Sequence, residues 1–292
     1  MLCHDEKIEG VKKMRKNNVS KYLAYAFLIL LALVWLFPAL FGLFTSFKSQ
    51  GDIMEVGFRM FPANWIVTNY LKLLQNTSSA PIITWFFNSL FVSTTHALLV
   101  VVVVSLAAFG YTRVNFKGRD ALFYGVLAIS MFPSAVNIIP SYKIVDSLGW
   151  VNTYLAVIIP GLGGVGNVFL VRQFMQNIPA EYDESARMDG ASDFVIYKNI
   201  ILPLVKPVLI VAGMFSFVGS WNDFLWPTIV LSDVKKMTIT AGLQLLQDLY
   251  GNYVMIGQLM SAAVIAMIPT VLLFVFAQKY FIDSLNLNVG IK

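Results

Sequence analysis

Long stretches of this chain contain no charged side chain, and short polar stretches separate them. About 20 apolar residues in a helix cross a bilayer core. Six windows meet that requirement: Tyr22–Phe47, Pro81–Tyr111, Ala121–Tyr142, Ser147–Val171, Pro207–Ser232 (interrupted only by Asp223) and Tyr250–Gln278. They predict an all-α integral membrane protein with six transmembrane helices and both termini on the same side. The first window is too long for the apolar region of a cleavable signal peptide and no small-residue cleavage site follows it, so it is expected to persist as an anchor.

The polar stretches carry patterns of their own. Within Lys48–Ala80, Phe61-Pro62 predicts a turn and Asn69-Tyr70-Leu71 a short surface helix. Within Asp233–Asn252, the spacing of Leu243, Leu245, Leu246, Leu249 and Tyr250 suits a helix lying against the membrane or a partner. The link from Arg172 to Pro203 is too long for a simple connection, and five of the sixteen acids fall between Glu181 and Asp193. Asp189-Gly190-Ala191 is expected to split it into two short helices, with Gly190 at a positive φ. Pro203 and Pro207 are expected to mark the start of the next span.

Composition narrows the class. Hydrophobic residues make up 58% of the 292 positions and charged ones 13%, about half the charged share of a soluble domain. A soluble globule and a disordered chain are both excluded. A single cysteine, Cys3, excludes a disulfide framework. The net charge of +5 is informative through its placement. Lys7, Lys12, Lys13, Arg15, Lys16, Lys21, Arg113, Lys117, Arg119, Arg172, Arg187, Lys198, Lys206, Lys279 and Lys292 fall on one face of the six-span topology. Only Lys48, Arg59, Lys72, Lys143, Lys235 and Lys236 fall on the other. The basic face is expected to be cytoplasmic, and a nucleic-acid partner is not needed to explain the charge.

Several chemistries are missing. There is no Gly-Lys dipeptide and hence no phosphate-binding P-loop, so ATP hydrolysis is not expected of this chain. His4 and His96 are the only histidines, which leaves no His-rich metal site. Gly161-Leu162-Gly163-Gly164-Val165-Gly166 satisfies G-x-G-x-x-G, but it lies in an apolar window with no strand before it. Close helix packing or local unwinding beside a cavity explains those glycines better than a dinucleotide. Polar groups inside spans are costly and mark pathways. Gly163, Gly166 and Asn167, with Ser216, Ser220, Asn222 and Asp223, are therefore candidate substrate-path residues. Trp221 and Trp226 add aromatic faces suited to a sugar. His96 is expected to pack against a neighbouring helix.

Glu184-Ser185-Ala186, Asp189-Gly190-Ala191, Ile200, Leu202-Pro203 and Pro207 resemble the EAA signature of bacterial ABC importer permeases, with Ser185 in place of the middle alanine. Ser220-Trp221-Asn222-Asp223-Phe224-Leu225-Trp226-Pro227 and the ending Asp283–Lys292 resemble the MalG-like carbohydrate permeases. The resemblance implies a type I (MetI-like) permease fold: a basic cytoplasmic tail over 1–21, a six-helix permease domain over 22–282 with its coupling loop at 179–207, and a cytoplasmic tail over 283–292. It implies a multi-pass protein of the bacterial cell membrane, embedded in lipid. Its partners would be a second, MalF-like permease, two ATPase subunits that carry ATP and magnesium, and an extracytoplasmic sugar-binding protein. This chain itself would bind no cofactor or metal. Glu184, Ser185, Ala186, Asp189, Gly190, Ala191, Leu202 and Pro203 would couple it to the ATPase. The small residues would let the loop sit close in the ATPase cleft. Gln244, Gln247 and Asn252 would reach the binding protein. The cargo would be an oligosaccharide. Glycerol-phosphate or peptide cargo, an ion-coupled secondary transporter and a membrane-embedded enzyme are the competing readings; Asp223 is the only Asp, Glu, Lys or Arg within the six windows, which disfavours ion coupling, and no converging constellation of His, Asp or Ser supports an enzyme.

Overall fold

The computed structural model describes residues 2–55, 57–250 and 255–286, with side chains over 20–55, 57–247 and 255–279. Among the described residues every regular element is helical. In chain order these are α1 (Leu2–Ser46), α2 (Gln50–Met54), α3 (Thr68–Gln75), α4 (Ile82–Arg113), α5 (Arg119–Ser130), α6 (Ile138–Ser147) and α7 (Leu155–Ile158). Next come α8 (Val165–Gln176), α9 (Glu181–Met188), α10 (Asp193–Ile196), α11 (Leu202–Asn222), α12 (Leu225–Val230), α13 (Ile239–Tyr250) and α14 (Ile256–Asn286). A π-helical turn, Tyr197–Ile201, joins α10 to α11 without a break.

Among the described residues four helices are long and apolar enough to cross a membrane: Ser20–Ser46, Ile82–Arg113, Asp193–Asn222 and Ile256–Lys279. The pair Arg119–Ser130 and Ser134–Ser147, bent by 90°, makes a fifth if it counts as one span. The predicted third span is thus broken at Phe132-Pro133, where proline lacks the N–H that continues a helix. The predicted fourth span, Ser147–Val171, is not a continuous helix. Asn152 (φ 60°), Gly161 (φ 88°) and Gly164 (φ 44°) occupy the left-handed region, and only α7 and α8 remain helical. The fifth span starts at Asp193, well before the prolines expected to open it. Pro203 and Pro207 lie inside that helix, and the wide turn at Tyr197–Ile201 precedes them, a common way to relieve a proline's clash with the preceding turn. It also stops at Asn222, leaving Asp223 as its C-terminal cap. The surface helices expected near Asn69 and Leu243 form, as α3 and α13.

The chain divides into two compact units, Met1–Leu71 with Met255–Val264, and Lys72–Val254 with Ile265–Lys292. In the first, Asn69 Nδ2 donates to the carbonyls of Ser46 and Lys48, each at 2.9 Å, and so satisfies the last carbonyl of α1 and one just beyond it. Phe44, Phe47, Trp65 and Tyr70 pack around this junction. The apolar window of α1 buries nothing within the chain. In water that would be a large cost; in lipid it is the expected face.

The second unit is built on α4. Val100, Val104 and Ala108 pack against Val168, Val171 and Met175 of α8 and against Ile196 of α10, Ile201 of the π-helical turn, and Val205, Val208 and Ala212 of α11. Tyr197 reaches across to Ser105, hydroxyl to hydroxyl at 2.8 Å, so the buried polar groups satisfy each other.

Candidate functional site

The broken fourth segment releases backbone carbonyls that a helix would have bonded internally, and neighbouring side chains take them up. Trp226 Nε1 donates to Ala156 O at 2.8 Å. His96 Nδ1 lies 2.8 Å from Ile158 O; a carbonyl only accepts, so this nitrogen carries the proton. Asn152 ties the start of the segment to the end of α12 and the chain after it: its N–H donates to Val230 O (2.7 Å), and its Oδ1 accepts from the N–H groups of Ser232 and Asp233. Non-helical backbone is thereby held in one conformation beside a cavity.

That cavity has a volume of about 730 Å³, within the usual range for a ligand-sized cleft of ~300–1,000 Å³. Asn167, Ser216, Ser220, Asn222 and Asp223 all line it, so five predicted path residues are brought together. Gly163 and Gly166 are not in its wall. Gly161 and Gly164 are, with His96, Ser134, Asn137, Ser141 and Trp226. The left-handed glycines are the ones that turn the chain around the cavity, and position alone did not distinguish them from Gly163 and Gly166. Asn167 Nδ2 donates to Ser216 Oγ at 2.9 Å, and that hydroxyl donates to Ala212 O; this pair braces α8 against α11. Asp223 Oδ1 accepts the Trp226 N–H at 3.4 Å. The side chains of Ser134, Asn137, Ser141, Ser220 and Asn222 make no hydrogen bond within the described residues. They are free to pair with hydroxyl groups. The lining holds one carboxylate, one imidazole and neither Lys nor Arg. Sequence reasoning passed over Ser134, Asn137 and Ser141. Their spacing of three and four residues after Pro133 is the signal of one polar helix face.

The acidic link forms a second feature. α9 ends in a Schellman motif: Gly190 (φ 82°) sits at the left-handed position, its N–H donates to Arg187 O at 3.0 Å, and the Ala191 N–H donates to Ala186 O at 2.9 Å. The Asp-Gly-Ala break is where the sequence placed it. The second short helix expected after it is the first part of the long helix Asp193–Asn222. Ala186, Ala191 and Leu202 pack on the chain's own core, so their size has a reason inside this chain. Glu184, Ser185, Asp189, Gly190 and Pro203 are exposed. Around them Tyr182, Met188 (83% exposed) and Phe194 present apolar surface. Gln247 is exposed on α13 and Gln244 half-buried; Asn252 lies outside the described residues.

Arg113 and Asp183 were not singled out by the sequence, where Arg113 counted only toward charge placement. Arg113 Nη1 lies 2.8 Å from Asp183 Oδ2, and both side chains are about nine-tenths buried. Arg172 is also buried, 3.1 Å from Asp120 and 4.0 Å over the ring of Phe123.

Residues 101–286 match the family described as binding-protein-dependent transport system inner membrane component. The chain is 35% identical to the arabinooligosaccharides transport system permease protein AraQ of Bacillus subtilis, over 91% of this chain and 94% of that one. It is 30% identical to the trehalose/maltose transport system permease protein MalG of Thermococcus litoralis, over 94% and 98% respectively. Its fold is similar to a chain of a bacterial ABC transporter involved in the import of the acidic polysaccharide alginate. The TM-score is 0.76 at 21% identity, covering 91% of this chain and 98% of that one.

Proposed function

This chain belongs to the family of binding-protein-dependent transport system inner membrane components, and from that premise we propose that it is the permease subunit of an ATP-driven importer of an uncharged oligosaccharide. It is a transport component and not an enzyme. It sits in the cell membrane with six passes and both termini in the cytoplasm; α5 with α6, and α7 with α8, supply the broken passes. The tails over 1–21 and 283–292 and the loop at 179–207 lie on the cytoplasmic side. A second, related permease completes the path. Two ATPase subunits supply the energy, with ATP and magnesium bound on them, and an extracytoplasmic protein delivers the sugar.

Within that assembly Glu184 pairs with a basic group of the ATPase, and Met188 and Phe194 fill apolar space beside it. Nucleotide closes the ATPase pair, the loop moves with it, and the permease passes from inward- to outward-facing. Gln244, Gln247 and Asn252 face the binding protein.

The observation that carries the cargo assignment is the composition of the cavity wall. Neutral hydroxyl and amide groups suit sugar hydroxyls, and Trp226, held by its bond to Ala156 O, offers a flat face. An ionised Asp223 would repel a phosphate or uronate about 4 Å away by ~4 kcal/mol at an effective dielectric constant of 20. No basic group in this wall offsets that, so glycerol-phosphate is disfavoured. The test is ATP hydrolysis by the reconstituted complex with its binding protein, against neutral oligosaccharides, uronate oligosaccharides, glycerol-phosphate and peptides. Stimulation by a neutral oligosaccharide alone is expected. Stimulation only by a phosphate, a uronate or a peptide overturns the assignment.

A further inference from the structure

Arg113 is the last residue of α4, and its guanidinium holds three elements at once. Nη1 meets Asp183 in the first turn of α9. Nη2 donates to Met175 O at 2.9 Å and to Ile178 O at 2.7 Å. Those two carbonyls end α8 and begin the link to α9, where a helix C-terminus carries unpaired acceptors and partial negative charge. Asp183 is likewise placed where a carboxylate suits the positive end of α9. A planar fork of donors can serve a carboxylate and two carbonyls together; a lysine ammonium cannot reach them in the same way.

The burial of this cluster sets it apart. Arg113 Nε and Asp183 Oδ1 are buried and have no hydrogen-bond partner, so each charge depends on the other. Among the described residues the other buried arginine, Arg172, pairs with Asp120, which is 59% exposed at its side chain and does not belong to α9. Asp183 and Glu184 are consecutive and face opposite ways. Asp183 turns into its own chain, and Glu184 is exposed.

Two of these elements reach the cavity. α4 carries His96 and Val100 in its wall, and α8 carries Asn167. Besides the Arg113 contact, α9 meets the rest of the chain through Ala186, packed on the core, and through a half-exposed ion pair between Arg187 and Asp193 of α10. We infer that Arg113 is the positioning residue that makes α9 move as one body with α4 and α8, so that a displacement of the cytoplasmic helix reaches the cavity wall. This inference rests on the proposed function and adds a residue to it that the EAA signature does not contain.

The test uses the full complex in proteoliposomes, with Arg113→Ala, Arg113→Lys and Asp183→Asn. Three quantities are measured per assembled complex: basal ATP hydrolysis, its stimulation by sugar-loaded binding protein, and sugar taken up per ATP. Arg113→Ala and Asp183→Asn are expected to retain the ATPase subunits and basal hydrolysis. Their stimulation and their uptake per ATP should fall by about tenfold, the size of a typical coupling between sites. Arg113→Lys should recover part of both. A residue needed only for folding would lower the amount of complex and leave the ratios per complex unchanged. Wild-type ratios in assembled Arg113→Ala or Asp183→Asn overturn the inference. If Arg113→Ala does not accumulate, the isosteric Asp183→Asn decides by the same criterion, and its failure to accumulate also overturns the inference in favour of a folding role. Failure of the proposed function itself shows in the wild-type complex, which would take up no saccharide. Failure of the inference shows only in the variants beside an active wild type.

Discussion

The turn at Gly190 separates two explanations of a glycine in the proposed docking loop. One is that a partner needs the space. The other is that the backbone needs the left-handed conformation. Here φ is 82°, and a Cβ built on Gly190 would meet no atom of the other described residues, its two chain neighbours aside, within 4 Å. A non-glycine residue in that region costs roughly 1–2 kcal/mol, more when β-branched, and asparagine tolerates it best. Such a cost lowers the population of the closed turn by about 5- to 30-fold. Opening it releases the two bonds that end α9, from the N–H groups of Gly190 and Ala191. The expected order of damage is therefore Asn, then Ala, then Val, which is not the order of size. Trypsin reports the turn directly, since Arg187 and Lys198 bracket it. Where opening is fast relative to cleavage, the cutting rate follows the open population. Cleavage should rise most for Gly190→Val and least for Gly190→Asn, and sugar-stimulated hydrolysis in the complex should fall in the same order. If damage instead follows size, with Asn as harmful as Val and Ala nearly silent, partner contact and not backbone strain explains the glycine.

Other substitutions probe packing and the cavity. Gly164→Ala would combine left-handed strain with contacts of 3.2 and 3.3 Å to Val100 and Val104, and should lower thermal stability by about 1–3 kcal/mol; Val100→Ala in the same chain should relieve only the crowding share. Gly242→Ala would place a Cβ 2.3 Å from the buried ring of Trp85 and displace its hydrogen bond to Val234 O. It should destabilise the purified permease more than Gly164→Ala, and an unchanged melting temperature would contradict that packing. Asp223→Ala should weaken sugar uptake about tenfold, the scale of one charge-assisted hydrogen bond, without changing recovery of the ATPase subunits. Unchanged uptake kinetics would remove Asp223 from the path.

What could be read from the sequence depended on what periodicity records. Apolar runs located the long helices because crossing a bilayer requires length and the absence of charge, and α1, α4 and α14 satisfy both. The same criterion failed over Ser147–Val171. That window is free of charge, so it reads as a span, yet its conformation is set by where Gly161 and Gly164 turn left-handed. It failed in the other direction at Asp193. Charge at Asp193 and Lys198 excluded those residues from any span, although the helix that enters the membrane begins with them. The polar members of the cavity were visible one by one on α11, since Ser216, Ser220 and Asp223 recur at helical spacing. Ser134, Asn137 and Ser141 lie on another broken segment and join them only through the fold. The Arg113–Asp183 pair was invisible. Its members are seventy positions apart, and Asp183 stood out only as one of the five acids of the link.

The central claim is that the cavity lined by Asn167, Ser216, Ser220 and Asp223 opens to opposite sides of the membrane in turn. Cys3 is the only cysteine in the chain, so Ser220→Cys in a Cys3→Ser background gives a single reporter in the cavity wall. The decisive measurement is its reaction with a membrane-impermeant thiol reagent, applied from each side of a vesicle holding the full complex. Without nucleotide, labelling is expected from the cytoplasmic side; with nucleotide trapped on the ATPase subunits, it should shift to the outside. Labelling from the same side in both states would contradict the account.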